Sequence, residues 1–218
     1  MTSEDGRAVL DHDLQEVAAQ VVRMLSLVRE SVGHAGRALI HADPDGAERA
    51  VTVDREIDDL QEVLERRILL IIARRRPASE DLRFLGAMHR ALADVERAGD
   101  YAVHVARAGA ALADRPPLKR YLDMQRMLEV ADAMIEATIA ALVEADADAA
   151  RSAFRMDEEI DDLYEQVQRE LLTYMMADPA TIPVATRLLS VGRYLERLGD
   201  HLENVCEHIV FWRSGERI

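Results

Sequence analysis

Glu196 and Asp200 stand four residues apart in Tyr194-Leu195-Glu196-Arg197-Leu198-Gly199-Asp200, and Glu96 and Asp100 repeat the spacing in Asp94-Val95-Glu96-Arg97-Ala98-Gly99-Asp100. On a helix, residues four apart share a face, so each segment stacks two carboxylates one turn apart. Like charges so placed cost an isolated helix about 0.2–0.5 kcal/mol. Their recurrence at matched positions points to a positive partner, and a metal cation is the candidate. Asp54 with Asp58 and Asp157 with Asp161 have the same spacing, making four pairs and eight carboxylates. A single pair of this kind is ordinarily a solvated face answered by a nearby Arg, as Arg193 would answer Glu196. Four pairs in register outweigh that reading.

The elements that carry these pairs are helices. Leu14, Val17, Val21, Leu25, Val28, Val32 and Leu39 recur at helical period from about 11 to 42, and Val53, Ile57, Leu60, Leu64, Ile68 and Ile71 carry a second helix to about 75. Asp43-Pro44-Asp45-Gly46 separates the two as a turn. After Pro77 a third helix reaches about Leu112. Asp114-Arg115-Pro116-Pro117 then breaks any helix. Beyond it the series repeats, with helix four over about 118–145, helix five over about 148–176 and helix six from the turn at 178–183 to about 211.

The repetition is internal to the sequence. At an offset of 103, Leu25 matches Leu128, Leu39 matches Leu142 and Ile57-Asp58-Asp59-Leu60 matches Ile160-Asp161-Asp162-Leu163; after the second helix of each half the offset becomes 100. This argues for duplication of a three-helix unit. The expected fold is all-α, two tandem three-helix bundles of six long helices, with one domain over 1–114 and another over 118–218. Pro77 lies nineteen residues from both Asp58 and Glu96, so antiparallel second and third helices bring those pairs to one level. The second half repeats the arrangement around Asp178. Four carboxylates in each half offer oxygen enough to hold Mg²⁺, Ca²⁺, Mn²⁺ or iron.

Composition narrows the function. Hydrophobic residues make up 49% of the 218 but aromatic ones only 4%, a balance suited to helices. Asp plus Glu number 41 against 27 for Lys plus Arg, and the net charge of −14 repels nucleic acid and anionic lipid. The apolar run at 68–73 is too short to span a bilayer, and the acidic N-terminus lacks the layout of a signal peptide. With one Cys, Cys206, no internal disulfide forms, and the expected setting is cytoplasmic. Cys206 reads as a small core residue, and Met124, Met127, Met134, Met175 and Met176 read as core filler. His104, four residues past Asp100, shares the acidic face, where it reads first as a solvated or structural residue and second as a ligand or an orienting partner, with Asn204 its equivalent. Gly99 and Gly199 each cost a helix about 1 kcal/mol against Ala, which points to a close approach by a neighbour.

At these residues the chain resembles the PhoU family of phosphate-signalling proteins, tandem three-helix bundles whose halves carry the pattern ERxGDxxxN. It reads in full from Glu196 to Asn204, and from Glu96 to His104 with His in place of Asn. The resemblance implies an accessory regulator of a phosphate ABC transporter that acts with a membrane sensor histidine kinase to repress the phosphate-starvation response. It implies a homodimer held at the inner face of the membrane through the transporter ATPase and the kinase. It further implies metal clusters of iron, zinc, magnesium, manganese or other ions. By position their ligands are Asp54, Asp58, Glu96 and Asp100 in one half and Asp157, Asp161, Glu196 and Asp200 in the other.

Two other readings compete. A ferritin-like di-metal enzyme needs Glu-x-x-His motifs, and none of the seven His has Glu three positions before it. A purely structural dimerising bundle would leave the acidic faces merely solvated. No Gly-rich phosphate loop or nucleophile motif stands in the sequence, so an adaptor is expected rather than an enzyme.

Overall fold

The structure, a computed structural model, describes residues 3–216. Seven α-helices follow in order: α1 Ser3–Ile40, α2 Gly46–Arg75, α3 Ser79–Ala113, α4 Leu122–Glu144, α5 Ala147–Phe154, α6 Asp157–Ala177 and α7 Ile182–Ser214, the last preceded by a 3₁₀ turn, Pro179–Thr181. All six helices expected from the periodicity are present, and the fifth is divided into α5 and α6.

The division has a local cause. Asp146 caps α5, its carboxylate accepting from the backbone N–H of Asp148 at 2.8 Å and of Ala149 at 3.1 Å. The helix then tightens at its end, where Met156 N–H donates to the Ala153 carbonyl at 3.0 Å. α6 therefore begins afresh at Asp157, with Asp157, Glu158 and Glu159 in its first turn, where the helix dipole favours negative charge. The corresponding stretch of α2 runs through without a break. Helix four also differs from the expected span. It opens at Leu122 rather than at 118, and residues 115–121 form no regular element.

α1, α2 and α3 pack on one another, α4, α5, α6 and α7 do the same, and the two groups join along α3 against α7 and α1 against α4. A single apolar cluster runs through both, from Val17, Met24 and Val28 of α1 through Leu85, Met88 and Leu92 of α3 to Leu195, Leu202 and Ile209 of α7. Each fully buried Leu, Ile or Met contributes roughly 1.5–3 kcal/mol. Small residues let the helix axes approach. A β-carbon at Gly109 would lie 2.7 Å from the backbone N and Cα of Leu39, so α1 and α3 touch almost main chain to main chain. Across the α1–α4 seam Arg29 forms a two-pronged pair with Asp132 at 2.7 and 2.8 Å. At the far end Phe84 of α3 meets Trp212 of α7 with ring centroids 4.8 Å apart.

Cys206 is fully buried beside the Thr138 hydroxyl, and burial pushes its thiol up to about 12. Met124, Met127 and Met134 are core residues, as expected, but Met176 is 86% exposed. It lies one residue before the end of α6. Among the described residues no helix is long and apolar enough to cross a membrane.

Candidate metal centres

The three-residue turn between α2 and α3 folds the two helices back on each other and brings Asp54, Asp58, Glu96 and Asp100 together. Burial, then the charges of Asp100, Asp58 and Glu96, pushes the Asp54 carboxyl up to about 6. The Asp58 carboxyl is raised by burial and by Asp100, and that of Glu96 by burial and by Asp100. Such mutual effects arise only where carboxylates crowd one another. α6 and α7 repeat the arrangement with Asp157, Asp161, Glu196 and Asp200. Burial, then Asp161, Glu203, Asp200 and Glu196, pushes Asp157 up to about 8. Asp161 and Glu196 are likewise raised by burial and by Asp200.

Residues 91–100 and 191–200 show the same order of buried, half-buried and exposed positions, so the two sites are built on one plan. Asp58 and Asp161 stand at an exposed rim, while the Glu and Asp of each ERxGD segment are half-buried walls. At the floor, Asp54 is half-buried and Asp157 only 3% exposed. Asp54 Oδ1 and Asp157 Oδ1 are buried without any hydrogen-bond donor. A buried charged oxygen lacking a donor is costly, and a cation is the partner that relieves it. The residues present therefore fit a metal held by oxygen ligands.

Both glycines serve the close approach that their helix cost implies. A β-carbon at Gly199 would collide with Asp157 Oδ1, and one at Gly99 would lie 2.9 Å from Ile57 Cδ1 and 3.2 Å from Asp54 Oδ1. The Arg of each motif flanks the acids. Arg197 lies 3.6 Å from Glu196 and 3.0 Å from Asp200, and Arg97 lies 3.6 Å from Glu96 and 3.9 Å from Asp100. These guanidinium groups, rather than Arg193, make the close pairs.

Three placements differ from the sequence reading or go beyond it. His104 turns away from the acids. Its Nδ1–H donates to its own helix, at the Asp100 carbonyl 2.7 Å away, and its ring lies 5.1 Å from that of Tyr194. Asn204 serves neither cluster, because it donates to Asp94 Oδ1 at 3.1 Å across the α3–α7 seam. His201 and His208 donate to the same carboxylate at 3.0 and 3.1 Å. Burial raises the Asp94 carboxyl, but these three donors more than offset it and hold it at about 2. The third is Glu203. One oxygen each of Asp157, Asp200 and Glu203 lies within 4.8 Å of the others. Its spacing of three from Asp200 would have placed it on the same face. Comparison of the halves hid it, because Val103 stands at the matching position.

Fold and site together define a duplicated helical-bundle protein that gathers carboxylates between paired helices twice over. The chain belongs to the PhoU family. The PhoU domain profile matches residues 21–109 and again 124–209. A Deinococcus radiodurans protein named phosphate-specific transport system accessory protein PhoU homolog is 42% identical over 211 residues, covering 97% of this chain and 99% of that one. An Aquifex aeolicus protein of the same name is 35% identical over 204 residues, covering 94% and 92%. The crystal structure of PhoU from Pseudomonas aeruginosa superposes with a TM-score of 0.90 at 31% identity, over 94% of this chain and 99% of that one. That of the phosphate transport system regulatory protein PhoU from Streptococcus pneumoniae gives 0.88 at 28% identity, over 96% and 99%.

Proposed function

We propose that this protein is a metal-holding accessory protein of a phosphate transport system, and that it restrains the phosphate-starvation response when phosphate is plentiful. Family membership and the names carried by its relatives support the accessory role. The metal-holding role rests on one observation above all, the Asp157 carboxylate buried at the floor of an acidic cluster with no donor to answer it. An all-oxygen ligand set without thiolate favours magnesium, manganese, calcium or iron over zinc. A loaded cluster reverses the local field and offers a landing place to an anion, such as phosphate or a partner's carboxylate.

In this reading the protein is a homodimeric adaptor on the cytoplasmic side, docking on the transporter ATPase and on a phosphate-sensing histidine kinase. It acts by contact rather than by catalysis. A tagged chain, captured from cells grown with and without phosphate, tests this. Recovery of a transporter ATPase and a histidine kinase, together with a starvation reporter that switches on in replete medium when the chain is deleted, supports the proposal. Absence of both partners and an unchanged reporter would refute it.

A further inference from the structure

The two clusters are not equal. In the second, the floor residue Asp157 is 3% exposed, its Oδ1 has no partner, as Asp54 Oδ1 has none, and it is held beneath Gly199, whose missing side chain leaves the room it occupies. It is the first residue of α6, set there by the break after α5. Asp200 and Glu203, one helical turn apart on α7, bring an oxygen each to within 4.8 Å of one another and of Asp157. In the first half α2 runs on unbroken, Asp54 is only half-buried, and the position matching Glu203 is Val103, a core residue 3% exposed.

We propose that the second cluster takes a divalent cation such as Mn²⁺ more tightly than the first and fills before it, because Glu203 supplies a carboxylate that the first half lacks. The inference rests on the metal-holding reading above. Affinity at oxygen-ligand sites rises with the number of charged ligands and with the rigidity of their setting. Both differences favour the second half. Glu203 adds a negative oxygen to those of Asp157 and Asp200, and Asp157 is buried where Asp54 is only half-buried. Half-filled protein therefore carries its metal between α6 and α7, leaving the α2–α3 cluster to respond at higher cation concentration.

The test is Mn²⁺ titration of the chelator-stripped full-length chain, with free Mn²⁺ read by electron paramagnetic resonance. Wild type is expected to show two classes of site. Glu203→Gln, half-buried and close in shape, is expected to weaken the tighter class by about tenfold or more and leave the weaker one unchanged. Asp100→Asn is expected to remove the weaker class alone. Circular dichroism confirms that each variant is folded. Two equivalent classes in wild type, or a tighter class untouched by Glu203→Gln, would overturn the inequality while leaving the metal-holding reading intact. If wild type takes up no Mn²⁺, the metal-holding reading fails and this inference with it.

Discussion

Replacing Asp157 by Asn removes an ionisable carboxyl from the floor of the second cluster and changes little in size. In the metal-free protein ionising that carboxyl is unfavourable. The carboxyl is pushed up to about 8, first by burial and then by Asp161, Glu203, Asp200 and Glu196. An unfolded-state carboxyl titrates near 4, so keeping it in the fold at neutral pH costs on the order of 2–4 kcal/mol once water entering the open rim is allowed for. The sign follows from proton uptake. The folded state holds a proton that the unfolded chain gives up between about pH 4 and 8, so metal-free wild type loses stability as pH climbs through that window. Asp157→Asn removes most of this slope. With chelator present at neutral pH its Tm is expected to rise by about 5–10 °C, at 2–4 °C per kcal/mol for a chain of this size. In Mn²⁺ the order reverses, because a cation bound only to the folded state stabilises wild type and gains little from the variant. Thermal unfolding followed by far-UV circular dichroism, with and without chelator at several pH values, measures both effects. An Asp157→Asn Tm no higher than wild type in chelator, with the pH slope unchanged, would refute the reasoning.

Gly199→Ala drives a methyl into Asp157 Oδ1 and is expected to cost about 1–3 kcal/mol and to weaken Mn²⁺ binding. Gly99→Ala meets only the tip of Ile57 and a half-buried Asp54, and its helix-propensity gain of about 1 kcal/mol leaves it near neutral in urea unfolding. Gly109→Ala presses on the main chain of Leu39 and Ala38, which cannot rotate away, and is expected to lose about 2–4 kcal/mol by urea unfolding. Asp94→Ala strands the donors of His201, Asn204 and His208 at the α3–α7 seam, for a loss of about 2–3 kcal/mol. Because the Asp94 carboxyl is held at about 2, its contribution is present above about pH 4 and disappears as pH falls toward 2, a slope that acid titration of the variant should lack.

The spacing of Glu96 with Asp100 and of Asp54 with Asp58, counted from Pro77, was enough to bring the pairs to one level, because helix period and a short turn leave few alternatives. The repeat carried the same conclusion to the second half. What the repeat could not reveal was where the halves differ. The break between α5 and α6 has no counterpart in α2, and Glu203 has Val103 for its match, so alignment of the halves averaged both away. The Asp94 network was hidden for another reason. Its partners lie 107, 110 and 114 residues away, and only the packing of α3 on α7 unites them. His104 shows the limit of face arguments on a helix, since its ring turned to the α3–α7 aromatic group and bonded its own backbone.

The most direct test of the central claim is anomalous diffraction from crystals of the full chain grown with Mn²⁺. Peaks are expected between α6 and α7, in reach of Asp157, Asp200 and Glu203, and between α2 and α3 beside Asp54 and Asp100. Strong peaks at other surfaces with both clusters empty would contradict the claim.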